Sequence, residues 1–179
     1  MAEAPLHDRL VDCALDLLES GKADIGLRAV ARAAGVSAMA PYRHFDDKRA
    51  LMAAVALRGY AVMEENARSA GAAGGAAEAL IAQGLSYIAF ARAHPALFRL
   101  MFADDAGLTL PPDACSGGYA LMAQRVAELA PHRAEAGALV CWGLVHGLAT
   151  LALDGRLPPD QAAERAALEV MTRALTARP

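Results

Sequence analysis

The chain has 179 residues, 56% of them apolar and 5% aromatic, with a formal net charge of -3 and a pI near 5.9. That length fits one domain, or a small head joined to a larger body, and the shortage of aromatic and β-branched residues argues against a sheet protein. Net acidity taken alone speaks against nucleic acid, but the charge is concentrated: Arg28, Arg32, Arg43, Lys48, Arg49 and Arg58 face only Asp46 and Asp47 over the same stretch, a local balance of +4.

Apolar positions Leu6, Leu10, Cys13, Ala14, Leu17 and Leu18 follow a helical period, and Gly21 ends that first helix. A second short helix carries Leu27, Val30, Ala31 and Ala34 on one face and Arg28 and Arg32 on the other. Gly35 supplies its stop, because a residue without Cβ enters the left-handed conformation cheaply. Val36 is expected to plug the core, and Ser37 to cap the next helix through the amide of Met39 or Ala40. That helix is expected over about Ala38–His44, with Pro41 tolerated in its first turn. This is the layout of a helix-turn-helix, whose second helix enters the DNA major groove. The small or apolar Ala38, Met39 and Ala40 allow close approach to base edges, and Tyr42, Arg43 and His44 carry donors for phosphates or bases. Asp46 or Asp47 then caps a long helix to about Ala67, with Lys48 at its positive N-terminal end.

The run GVSAMAPYRHFDDKRAL, Gly35–Leu51, resembles the DNA-binding signature of the TetR family of bacterial transcriptional regulators, matching it at Gly35, Val36, Ser37, Tyr42, Phe45, Lys48 and Leu51. The one departure lies at the start of the second helix. Relatives carry Ser or Thr there, and this chain has Gly26, with Asp24 the nearest alternative cap. The resemblance implies a DNA-binding head over residues 1–67, with Arg28, Ser37, Ala38, Met39, Pro41, Tyr42, Arg43, His44 and Lys48 as candidate DNA contacts.

SAGAAGGAA, Ser69–Ala77, is the clearest composition break and reads as the boundary before a body over 74–179. No strand pattern precedes it and no GxxxxGK[ST] follows, so it is not read as a phosphate cradle. Glu78–Ala93 reads as a helix stopped before Pro95, which opens a short helix PALFRLMF. Asp104–Asp113 reads as a loop and Ala114–Ala130 as another helix. Tyr87, Phe90, Phe98, Phe102, Tyr119, Met122, Trp142 and His146 are candidates to line an apolar effector pocket, although aromatics at helical spacing also build plain core.

Ala136–Leu153 holds no charged residue over 18 positions and must be weighed as a membrane span. Gly137, Gly143, Gly147, His146, Thr150 and the amphipathic helix that follows argue instead for a helix buried on all sides, and no membrane partner is expected. The last helix is expected to start at Pro158–Pro159, with Ala163, Ala167, Val170, Met171 and Ala174 facing inward and Glu164, Arg165, Glu169 and Arg173 facing water. Trp142, His146 and Gly147 resemble the WHG-type sensor domain of part of the same family. That resemblance implies a dimer interface of the last two long helices, with Gly143, Gly147, Leu151, Ala163, Ala167, Val170, Met171 and Ala174 as its candidates.

Cys13, Cys115 and Cys141 are widely spaced and form no metal-ligand pattern, which points to a reducing compartment without a metal or cofactor. Cys115 reads as a bland solvent-side thiol. Residues 1–20 alternate charge with apolar positions and do not read as a signal peptide. The sequence therefore points to an all-α, cytoplasmic, homodimeric DNA-binding regulator, most often a repressor in that family, whose partners are double-stranded DNA, a second copy and a small effector. The alternative is a small all-α enzyme or carrier acting on an apolar molecule; His94, His132 and His146 show no HExxH and no carboxylate at a telling spacing to support it.

Overall fold

The computed structural model describes residues 5–22, 25–72, 74–103, 107–111, 113 and 116–177, and folds them into eight α-helices with no strand among them. The helices are α1 (Leu6–Glu19), α2 (Leu27–Ala33), α3 (Lys48–Ala70), α4 (Ala76–Ala93), α5 (Pro95–Met101), α6 (Ser116–Leu129), α7 (Ala134–Leu153) and α8 (Ala162–Thr176). They form two compact units, Met1–Tyr60 with His94–Pro112, and Ala61–Ala93 with Asp113–Pro179. Cys115 and Asp24 lie outside the described residues, as does part of the expected Asp104–Asp113 loop.

In the first unit α1 buries Leu10, Val11, Ala14 and Leu17, and packs on α2 and α5. Helix α2 buries Leu27, Val30 and Ala31 and has Gly26 at its N-cap without a side-chain bond. It ends in a Schellman turn: Gly35 sits at φ 68°, its amide bonds Arg32 O, and the Val36 amide bonds Ala31 O at 3.0 Å. Val36 is half-buried. A Cβ at Gly35 would meet no atom within 4 Å, so only backbone strain opposes a side chain there. Gly35→Ala is expected to cost about 1 to 2 kcal/mol in urea unfolding; a neutral result would remove strain as the reason for glycine.

Asp47 caps α3, its Oδ1 accepting the Ala50 amide at 2.8 Å. Helix α3 runs past Ala67 to Ala70, and α4 starts at Ala76. Glu19 on α1 accepts the Leu97 amide at 3.1 Å and so caps the proline-led α5 from outside it. Tyr60 donates to Met101 O at 2.5 Å, fixing the other end of α5.

In the second unit α4 is central and packs on α6, α7 and α8. Leu80, Ile81, Val126, Cys141, Val145, Leu168, Met171 and Leu175 form its core. A Cβ on Gly84 would lie 2.9 Å from Leu168 and 3.3 Å from Val145, so only glycine lets α4 approach this closely.

Helix α8 departs from expectation in start and rotation. It begins at Ala162, a turn beyond Pro158–Pro159, because the Pro158 carbonyl is taken by the Arg92 guanidinium at 2.8 Å and Gln161 donates to Leu85 O. Its inward side is Glu164, Leu168, Met171, Thr172 and Leu175, while Ala163, Val170 and Ala174 are exposed and Ala167 is half-buried. Glu164, expected in water, is fully buried and ion-paired with Arg92. Helix α7 is likewise not buried on all sides: the segment Pro131–Leu153 is long and apolar enough to cross a membrane, yet only 33% of its most apolar window is buried within the chain.

Candidate functional site

The turn after α2 is the most exposed part of the first unit's predicted contact set. Ala40 N bonds Ser37 O, Arg43 N bonds Ala40 O, and His44 N bonds Pro41 O, at 2.9, 3.2 and 2.9 Å. These are three-residue steps, so the segment is a tight turn followed by a 3-10 helix over Pro41–Arg43, and not the α-helix expected over 38–44. Pro41 has no N–H to donate to Ser37 O, and the α-helical ladder therefore cannot start there. Ser37 takes the Ala40 amide on its backbone carbonyl, not on its hydroxyl.

Ser37, Ala38, Met39, Tyr42, Arg43 and His44 are exposed. Pro41 is fully buried, so it shapes the turn and presents no surface to a partner. The His44 ring lies 6.1 Å from His7 of α1, and His7 lies 5.0 Å from Phe45, which ties the end of the turn to the helix behind it. Arg28, Arg32, Arg43 and Lys48 are exposed and make no ion pair among the described residues. Arg58 instead bridges Asp8 and Asp12 at 3.3 Å each, and Arg49 lies against Gly107. Arg32 belongs with the basic edge although the contact set omits it; its spacing of four from Arg28 was the available signal.

In the second unit Tyr87, Tyr119, Trp142 and His146 come together. The Tyr87 hydroxyl lies 3.0 Å from His146 Nδ1, Trp142 is 6.4 Å from the His146 ring, and Tyr119 meets Trp142 edge-on at 6.1 Å. Burial raises the Tyr87 phenol above its usual range and lowers the His146 imidazole, because both charged forms lose hydration. Both groups are therefore neutral near pH 7. Met122 packs half-buried against the same core and Phe90 is buried. Phe98 and Phe102 are placed elsewhere, in the first unit, where their rings meet at a tilt with centroids 4.8 Å apart and Phe102 meets Tyr60 at 5.8 Å.

Helices α7 and α8 leave a continuous apolar face uncovered. Leu139, Val140, Trp142, Leu151 and Val170 are exposed, as are Gly143, Gly147, Ala163 and Ala174. Between the two helices runs an open groove of about 700 Å³ lined by Val140, Leu144, Ala167, Val170 and Met171, with Arg133 the one charged residue on it. Arg133 donates to Ala174 O at 3.0 Å. Among the described residues no three His, Cys, Asp or Glu side chains gather as metal ligands.

Residues 10–55 match the model of the bacterial regulatory proteins of the tetR family, and residues 80–175 match that of the tetracyclin repressor-like C-terminal domain. No curated protein matches the sequence. Among solved structures, a protein of unknown function from Rhodococcus sp. RHA1 is 31% identical, with a TM-score of 0.84 and coverage of 98% of this chain and 97% of that one. A TetR family transcription regulator from Marinobacter aquaeolei VT8 is 17% identical, with a TM-score of 0.70 and 96% of each chain covered. A TetR variant from Acinetobacter baumannii AYE, solved in complex with minocycline, is 19% identical, with a TM-score of 0.63 and 96% of each chain covered.

Proposed function

The chain belongs to the TetR family of bacterial transcription regulators, and from that premise we propose that it is a cytoplasmic repressor that binds a near-palindromic operator as a homodimer and releases it when a small apolar effector binds. The observation that carries the DNA reading is the basic edge of Arg28, Arg32, Arg43 and Lys48, unpaired among the described residues, around an exposed turn in a chain whose net charge is -3. An acidic protein gains nothing from such a concentration unless a polyanion meets it there. The uncovered α7 and α8 face supports self-association, and two copies would present their turns about one DNA turn, ~34 to 36 Å, apart.

The effector reading rests on the second unit. Tyr87 and His146 offer one neutral hydrogen-bonded pair beside exposed aromatic rings, which suits an apolar or weakly polar molecule. The Acinetobacter protein's binding of minocycline supports a small-molecule effector without fixing its chemistry. Such a ligand shifts DNA affinity only through its differential affinity for two states, typically ~1 to 3 kcal/mol of coupling.

The testing experiment is titration of the purified protein onto DNA from upstream of its own gene and onto a scrambled duplex, at two salt concentrations. With four cations per protomer on phosphates, affinity is expected to fall by about 10³ to 10⁵ between ~50 and 200 mM salt. Lys48→Ala is expected to weaken every sequence alike and to flatten the salt slope by about 1 per protomer. Tyr42→Phe should likewise weaken all sequences equally. If Lys48→Ala changed the preferred base pair instead, Lys48 would be a base reader and this assignment wrong.

A further inference from the structure

Among the described residues no large apolar side chain is more exposed than Met39, at 67%. A lone exposed apolar residue needs no explanation in general, but this one stands in an unusual setting. No acidic residue occurs between Leu27 and Phe45, and exposed Arg28, Arg32 and Arg43 frame the segment. Its neighbours Ser37, Ala38 and Ala40 are short, so the methionine projects beyond them. The turn that carries it is held by the Ala40 to Ser37 and Arg43 to Ala40 backbone bonds and by the buried Pro41 beneath. The thioether is thus presented outward on a fixed backbone.

A thioether has almost no hydrogen-bonding capacity, so Met39 cannot read the donors and acceptors of base edges. The major groove offers one apolar group, the C5-methyl of thymine, and the soft, unbranched Met side chain adapts to it. Building on the DNA-binding reading above, we propose that Met39 is a specificity residue that packs on a pyrimidine C5-methyl group, so that each operator half-site carries a thymine at the position it faces. Because the methyl group is what is read, 5-methylcytosine satisfies the same contact and cytosine does not.

The test uses duplexes that the full-length protein selects from a randomised pool, so it does not depend on where the natural operator lies. Thymines of the half-site are replaced one at a time by uracil, which lacks only the C5-methyl, and binding is read by fluorescence anisotropy. At one position per half-site, uracil is expected to weaken wild-type binding roughly fourfold, the amount one buried methyl supplies. Exchanging a C·G pair for 5-methyl-C·G at that position should recover about the same factor over cytosine. Met39→Ala, which removes the contact from both protomers, should bind the thymine duplex about as weakly as wild type binds a duplex with uracil at that position in both half-sites, and show no difference between the two bases. Its salt slope should equal that of the wild type, which shows that the phosphate contacts and the fold are intact. The proposal is overturned if no uracil position is discriminated, or if Met39→Ala keeps the discrimination, which would pass the contact to another side chain such as Tyr42. Failure to select any sequence would instead overturn the DNA-binding reading and this proposal with it.

Discussion

Replacing Arg92 with alanine is expected to lower the stability of the chain by about 3 to 5 kcal/mol, the cost of stranding a buried charge. The Glu164 side chain is 0% exposed, and its Oε1 is held by the Arg92 guanidinium alone, which also reaches Pro158 O at 2.8 Å. Among the described residues Glu164 Oε2 and Arg92 Nε have no hydrogen-bond partner. The pair is therefore under-satisfied, and loss of the cation leaves the carboxylate with nothing. The effect is asymmetric: Arg92 is 23% exposed and can turn to water, so Glu164→Gln should cost less than Arg92→Ala. Replacing both partners by apolar residues, Arg92→Met with Glu164→Leu, should restore most of the loss or exceed the parent, since no desolvated charge remains. Urea unfolding at one fixed protein concentration reads all three, because self-association would otherwise add to the apparent stability. A cost below ~1 kcal/mol for Arg92→Ala would mean that the pair behaves as a screened surface bridge.

The same pair shows where reading the sequence stops. Helix α8 carries two apolar stripes, Ala163, Ala167, Val170 and Ala174 on one side and Leu168, Met171 and Leu175 on another. Periodicity says that a stripe is covered, not whether the chain's own core or something else covers it. Periodicity marks Ala163, Ala167, Val170, Met171 and Ala174 as the interior, yet only Met171 of these is buried, Ala167 is half-buried and the other three are exposed. Glu164, one residue beyond Ala163, then turns inward, and only a partner 72 residues away in sequence makes that tolerable. Helix α7 posed the same problem in stronger form, since a segment with no polar side to mark water cannot reveal its free face. Local signals did better because they are self-contained: Asp47 caps α3, Gly35 ends α2 with a positive φ, and Pro95 opens α5. In the candidate DNA contact set, the exposed positions follow from sequence. The burial of Pro41 and the 3-10 geometry do not, since they depend on which backbone bond the proline removes. Phe98 and Phe102 look like pocket residues by type alone, yet they pack on each other in the first unit, where Phe102 meets Tyr60.

The second large effect concerns the face that those two helices leave open. Val170→Glu is expected to convert the proposed homodimer to a monomer at micromolar concentration while leaving each chain folded. Val170 is 60% exposed and stands on the rim of the 700 Å³ groove beside Val140 and Ala167, so the substitution disturbs no contact of the isolated chain's interior. In a two-fold dimer the change is made twice. Each carboxylate would be driven into an apolar groove whose one charged lining residue, Arg133, is already engaged with Ala174 O, and burying a charge there costs several kcal/mol per ion. About 4 kcal/mol in total is a ~10³-fold rise in the dimer dissociation constant. DNA binding should fail with it, because each half-site contact is individually weak and the second turn is no longer delivered at high effective concentration. Sedimentation and circular dichroism on the variant separate the outcomes. A folded monomer with weak, still salt-dependent DNA binding places the interface on α7 and α8. A folded dimer would move self-association to another surface and leave this apolar face to a different partner. Glu169→Gln, one residue away and charged in the parent, should change neither assembly nor fold, since it adds no buried charge.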